Sequence, residues 1–366
     1  MEIPPYGGGI ALSLAGEDVW FVSPDAPLVA TAEGAICLLA PWCARYQQAL
    51  HLPDERPSAA FLANVRSAIA HMCTWWGYAP LVFRDAKGVV ADLPAAAALP
   101  VQDGALALFF SGGVDSFHSL TRNPGIRAIV FIIGFDMGLD QRPVWETLAR
   151  NHQALAEERG IRLIRVFTNL RQHRALGKGH MDLKHYHGAI LATVAHALHQ
   201  DASRWLISAS FTHSNPQPWG SHPDLDWRWG SERVTLTHFG ADLWRAQKLV
   251  SMTDHALVDR HLHVCFTDPT TAGNCGRCEK CVRTRLIYHC EIPGRRCERM
   301  PETVGLAQAI DSLRKLRSTG LMRAYERFLV PLPAEDPVAG SLKRLLERSA
   351  AALQGHQDDG RLPNDV

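Results

Sequence analysis

Leu108-Phe-Phe-Ser-Gly-Gly-Val-Asp-Ser-Phe-His-Ser-Leu120 decides how the chain is read. An apolar run, Leu106–Phe110, stops at Ser111-Gly112-Gly113, and apolar residues return with helical spacing after Asp115-Ser116. A strand, a glycine loop and a helix follow one another directly. Glycines at such a junction permit positive φ and let backbone N–H groups approach a ligand closely. The helix behind the loop offers unpaired N–H groups and the positive end of its dipole. Ser111 and Ser116 add hydroxyls, and Asp115 adds a carboxylate suited to Mg2+. The loop is expected to hold a phosphate or pyrophosphate. The plainer alternative is a strand-to-helix turn with an N-cap. It is not a Walker A loop, which needs G-x-x-x-x-G-K-[ST].

Outward from this stretch, apolar runs at Ala128–Phe135, Arg162–Thr168, Trp205–Ser210, Val234–His238 and His261–Phe266 read as strands. Helical spacing appears at Phe117–Thr121, Val144–Glu158, Tyr186–His199 and Ala241–Thr253. Continuous apolar strands alternating with helices predict an α/β fold: a mostly parallel, doubly wound sheet covered on both faces. Ligands of such sheets bind beyond the carboxyl ends of strands, where Ser111–Ser116 falls.

Residues 1–100 are expected to form an N-terminal accessory α+β region, with a strand near Val19–Val22 and a helix near Phe61–Trp76. The proline-bounded Ala91–Pro100 reads as a linker. The phosphate-binding α/β domain is placed at 101–260, a zinc-binding loop and helix at 261–300, C-terminal helices at 301–354 and a flexible tail at 355–366. The 366 residues carry a net charge of +1 and are 46% hydrophobic. That balance provides no global field for nucleic acid, which is not expected as a partner. The first twenty residues lack a basic n-region and are not read as a signal peptide. No apolar window is long enough for a membrane span. A cytoplasmic location is the expectation.

Nine cysteines occur, and three of them crowd into Cys275-Gly-Arg-Cys278-Glu-Lys-Cys281. With Cys265 upstream, four thiolates can close a tetrahedral zinc shell. A redox C-x-x-C is the competing reading. Cys290 and Cys297 are left as packing residues or alternative ligands, and Cys37, Cys43 and Cys73 as apolar-face residues.

Ser111-Gly112-Gly113-Val114-Asp115-Ser116 resembles the S-G-G-x-D-S loop of the PP-loop ATP pyrophosphatases, whose fold is PP-loop/HUP-like. With the cysteine spacing downstream, the chain is similar to the 7-cyano-7-deazaguanine synthase branch over roughly 105–289. The resemblance implies ATP and Mg2+ at Ser111, Gly112, Gly113, Val114, Asp115 and Ser116. It also implies adenine contacts at Gly134 and Phe135, and structural Zn2+ at Cys265, Cys275, Cys278 and Cys281. Thr168 and Arg171 end a strand and are placed with the nucleotide, with loop capping as the even alternative for Arg171 and Asn169. Where the synthases carry a Tyr-Pro-Asp-Cys-Arg-like segment, this chain has Trp219-Gly-Ser-His-Pro-Asp224.

Lys178, His180, Lys184, His185 and His187 form a basic stretch suited to phosphates or a carboxylate. Trp219, His222 and Asp224 lie among three prolines and read as a substrate wall, since tryptophan stacks on planar rings and a carboxylate accepts ring N–H groups. Arg245 and Lys248 share a helix face, turned to phosphate or to solvent. The expected activity is an AMP-forming carbon–nitrogen ligase. It would adenylate a small planar carboxylate, or an amide oxygen, for attack by ammonia or an amine. Ser111, Asp115, Ser116, Lys184 and Asp224 are the catalytic candidates, and alanine at Asp115 is expected to harm ATP use far more than folding. A protein or peptide acceptor and a homodimer stay open. A sulfur transferase and a non-catalytic nucleotide-binding zinc protein are the rival readings.

Overall fold

The computed structural model describes residues 9–177, 183–252, 254–265 and 273–357. Lys178, His180, Phe266 and the tail beyond 357 lie outside these residues. By contacts the chain divides into two units: Met1–Ser111 with Asp115–Lys248, and Gly112–Val114 with Leu249–Val366.

The first unit contains β1 (Ile10–Leu14), β2 (Glu17–Val22), α1 (Ala32–Arg45), β3 (Leu50–His51), α2 (Ala59–Trp76), β4 (Phe83–Asp85) and β5 (Gly88–Val89). The chain continues with β6 (Leu106–Phe109), α3 (Val114–Arg122), β7 (Ile126–Ile133), α4 (Arg142–Arg159), β8 (Arg162–Thr168), α5 (Leu183–Ala197), β9 (Arg204–Ser208), β10 (Thr235–Phe239) and α6 (Arg245–Val250). The main sheet has the order β1-β2-β8-β7-β6-β9-β10. From β8 to β10 every pairing is parallel, and β2 joins antiparallel to β8. The structure is therefore α/β with a mostly parallel seven-stranded sheet. Strands β3, β4 and β5 form a separate small sheet.

Both faces of the large sheet are covered, which is why β6 and β7 are apolar almost without a break. On one face Ala107, Phe109, Val130 and Ile132 join a core with α1, α2 and α5. On the other, His152 of α4 sets its ring against Phe110 and Phe131 at 5.0 and 4.7 Å. The first hundred residues thus supply two strands of the sheet and two helices of its core. Local signals set the ends of these helices. Ser58 Oγ accepts the N–H of Phe61 at the start of α2, and Gly77 closes that helix at φ 67°. Pro143 lies in the first turn of α4 and Gly160 ends it at φ 62°. The Ala91–Pro100 segment has no regular structure, and Asn64 of α2 exchanges two hydrogen bonds with Ala97.

The second unit carries α7 (His255–His261), α8 (Glu279–Glu291), α9 (Leu306–Ser312), α10 (Thr319–Glu326) and α11 (Pro337–Gln357). The strand expected at His261–Phe266 is corrected here. His261 ends a helix, and residues 262–265 join no strand among the described residues: His263 N donates to Gly112 O at 2.9 Å, and a side chain takes up the groups on either side of it. Asn274 receives the N–H of Val264 at 2.7 Å and donates to Leu262 O at 2.9 Å. The helix expected over Ala241–Thr253 is also shorter, at Arg245–Val250. No helix among the described residues is long and apolar enough to cross a membrane.

His196 of α5 is buried, with Nε2 2.9 Å from Trp229 O. Burial holds its pKa down at about 4. Unfolded, the same ring titrates near 6.5. As pH falls from about 6.5 to 4 the unfolded chain takes up a proton that the native one refuses, so stability declines across that window. Urea midpoints measured from pH 7 to 4 should fall, and His196→Gln should flatten the slope.

Candidate functional site

At the centre of the parallel strands the order reverses: β7 and β8 lie on one side of β6, β9 and β10 on the other. This is a topological switch point, where the loops leaving adjacent strands diverge and open a crevice. The glycine loop leaves β6 at that point. Gly112 adopts φ 79°, a conformation that disfavours any residue with a Cβ. Ser111 and Gly113 are half-buried, Val114 and Ser116 are buried, and Asp115 lies in the first turn of α3.

Asp115 is the anchor of the arrangement. Its Oδ1 accepts from Lys248 Nζ at 3.0 Å, and its Oδ2 is paired with Arg245. Lys248 is only 2% exposed and also donates to Ala209 O, just beyond β9, at 2.5 Å. The face shared by Arg245 and Lys248 is therefore turned to this carboxylate. The same contacts give Asp115 a part in stability that its place in a loop did not suggest. Alanine there strips an anion from a buried ammonium, a kind of loss that costs about 3 kcal/mol or more. Below these charges, Ser119 and Ser208 hydroxyls meet at 2.8 Å and tie α3 to β9. His118, buried on α3, has its pKa lowered, first by burial and then by the charge of Lys248.

Gly134 ends β7 at φ 96°, so close to the carbonyl of Thr168 at the end of β8 that a Cβ could not be accommodated. Phe135 is buried with its ring 4.9 Å from that of His187. Arg171 spends its guanidinium on the carbonyls of Phe135 and Asp136, at 3.0 and 2.8 Å. Asn169 is likewise engaged, accepting from Trp20 N and donating to Asp18 O. Arg171 thus caps the loop after β7, and Asn169 pairs with the backbone of β2.

Lys184 lies in the first turn of α5, and its carbonyl accepts the N–H of Gly220; Gly188 N donates back to Gly220 O at 2.9 Å. Gly220 lies so close to the backbone of His185 and Tyr186 that a Cβ would stand 2.6 Å from His185 C. The Trp219–Asp224 loop is thus fastened to the start of α5. Asp224 is exposed, 3.4 Å from His222 Nδ1. Trp219 leans on Phe211 at 5.9 Å. The sequence reading missed what completes this wall: the end of α2. Trp76 stacks on His185 at 4.1 Å and 8°, Tyr78 OH pairs with His185 Nδ1, and Trp75 meets His222 edge-on at 5.0 Å. The signal was the dense run Trp75-Trp76-Gly77-Tyr78, but nothing local links it to residues more than a hundred positions away.

In the second unit the Sγ atoms of Cys265, Cys275, Cys278 and Cys281 all lie within 4.8 Å of one another. Cys275 and Cys281 are 3.9 Å apart, and Cys265 and Cys278 3.7 Å. A tetrahedron with metal–sulfur bonds of about 2.3 Å has edges of about 3.8 Å. The four sulfurs fit a metal ion such as zinc. The turn that delivers them needs Gly276 at φ 72°, and Arg285 fastens it by donating to Gly276 O at 3.0 Å and Val304 O at 2.8 Å. Cys297 directs its thiol to Asp259 O and Leu262 O, and Cys290 to Phe328 O, so neither joins the group.

No family model, curated protein or solved structure matches the chain.

Metal analysis of the purified chain should give about one equivalent held by thiolates. Cys278→Ser should lose it, while Cys290→Ser should retain it.

Proposed function

We propose that the protein is an ATP-dependent, AMP-forming ligase of the PP-loop class, similar to the 7-cyano-7-deazaguanine synthases. The observation that carries this reading is the position of Ser111–Ser116. A glycine loop with the S-G-G-x-D-S pattern leaves the strand at which the sheet order reverses, and a helix starts directly behind it. In this reading the loop amides and the hydroxyls of Ser111 and Ser116 receive the β- and γ-phosphates, and Mg2+ arriving with ATP offsets part of their charge. Asp115 holds Arg245 and Lys248 in place, which supplies positive charge without reorganisation when pyrophosphate leaves. The backbone at Gly134 and Phe135, with Thr168 beside them, forms the adenine side.

The substrate wall is the aromatic and imidazole group around His185 and His222, with Lys184 and Asp224 at its margin. Flat rings stacked in this way suit a planar heterocycle. The carboxylate oxygen of that acid attacks the α-phosphorus and pyrophosphate departs. Ammonia or an amine then attacks the acyl carbon and AMP departs, leaving an amide. Zn2+ at the four cysteines is structural: a closed thiolate shell leaves no open position for a reactant. That closure also weighs against a nucleophilic cysteine of the sulfur-transferase type.

ATP–pyrophosphate exchange with a panel of planar carboxylates, 7-carboxy-7-deazaguanine among them, tests the reading. Exchange should depend on one acid and fall roughly 100-fold in Asp115→Asn, which keeps the side-chain shape. Protein that binds ATP yet shows no exchange with any acid would refute the ligase assignment.

A further inference from the structure

The amino ends of the central strands of the same sheet hold a second arrangement that the ligase reading does not use. A cavity of about 400 Å³ opens where β6, β7 and β9 begin, and Arg122, Arg127 and Arg204 line it. Leu106 at its wall is the first residue of β6 and pairs with both Ile126 and Arg204, so Arg127 and Arg204 flank the start of β6 from its two neighbouring strands. Arg122 is the last residue of α3. The distance to the glycine loop is the length of β6 and its exit, roughly 16 Å.

Two features separate this cavity from an ordinary solvated surface. No carboxylate lines it, and none of the three guanidinium groups has a hydrogen bond or ion pair among the described residues. Arginine at the end of a helix is favoured by the dipole, which accounts for Arg122 but not for the convergence of two further arginines from separate strands. Beside them, the Ser203 hydroxyl is buried without a hydrogen-bond partner. It lies against Gly104, a lining residue, where any Cβ would collide with it. Like charges gathered round one concavity repel each other, and a bound anion reverses that cost. Guanidinium forks match the oxygens of phosphate and carboxylate in pairs, so three of them suit a compact oxyanion with more than one charge.

We infer that this cavity is an anion site for a phosphate-bearing small molecule of the diphosphate type, separate from the glycine loop. The volume lies within the range of small-ligand sites. The inference does not rest on the ligase reading, because none of its residues belongs to the loop or to the aromatic wall.

Hydrogen exchange of the full chain with and without inorganic pyrophosphate locates the site directly. Pyrophosphate should slow exchange of the amides at 104–106, 122, 123, 125–128 and 204. In Arg127→Gln/Arg204→Gln that protection should require at least roughly tenfold more pyrophosphate. Amides at 111–117 report the glycine loop separately, and any protection there should be equal in both proteins. Both substitutions replace exposed side chains, so the variant is expected to fold, with an unchanged melting temperature in the absence of anion as the control. Absent protection at these amides in the unmodified chain, or equal protection in the variant, would overturn the inference.

Discussion

The ammonium of Lys248 is nearly sealed from water, and the protein tolerates it there because Asp115 and the carbonyl of Ala209 surround it. That contact joins three pieces that chain connectivity does not hold together: the exit of β9, the first turn of α3 and the short α6. A buried cation without its anion is costly, so the pair acts as a geometric constraint on whatever carries its members. The first turn of α3 is carried by Asp115, and with it the direction of the loop amides. Arg245 is brought to the same carboxylate. The charge available beside the loop follows from this one pairing.

A second constraint comes from the sheet. Reversal of strand order at β6 leaves room above its carboxyl end, and only a backbone free to adopt positive φ can turn within it. Gly112 does so above β6, and Gly134 does so above β7, where the Thr168 carbonyl fills the space a side chain would need. The glycines are positioned by the topology, and the topology is maintained by apolar strands covered on both faces.

Much of this was legible in the residues. β6 and β7 announced themselves as almost unbroken apolar runs because both their faces are covered, and the glycine loop stood out as an abrupt stop. The cysteine group was legible because three of its ligands come from a single turn. Other parts were hidden for physical reasons. His261–Phe266 has the residue types of a strand, yet Asn274 takes the bonds that a ladder would have used. The pairing of β2 with β8, and of Trp76 with His185, depends on the closing of long loops, which leaves no periodic trace. The helix face of Arg245 and Lys248 was visible, but its partner, Asp115, lies far away in sequence.

At the centre of the proposed reaction stands polyphosphate binding by the glycine loop. Calorimetric titration of α,β-methylene-ATP with Mg2+ into the unmodified chain and into Gly112→Val tests this without requiring the acid substrate. Valine rejects a φ of 79°, so the loop must change its path. Saturable binding to the unmodified chain and its loss in the variant, at unchanged metal content and with a cooperative unfolding transition retained at a lowered midpoint, is the predicted result. No binding to the unmodified chain, or equal binding to both, would contradict it.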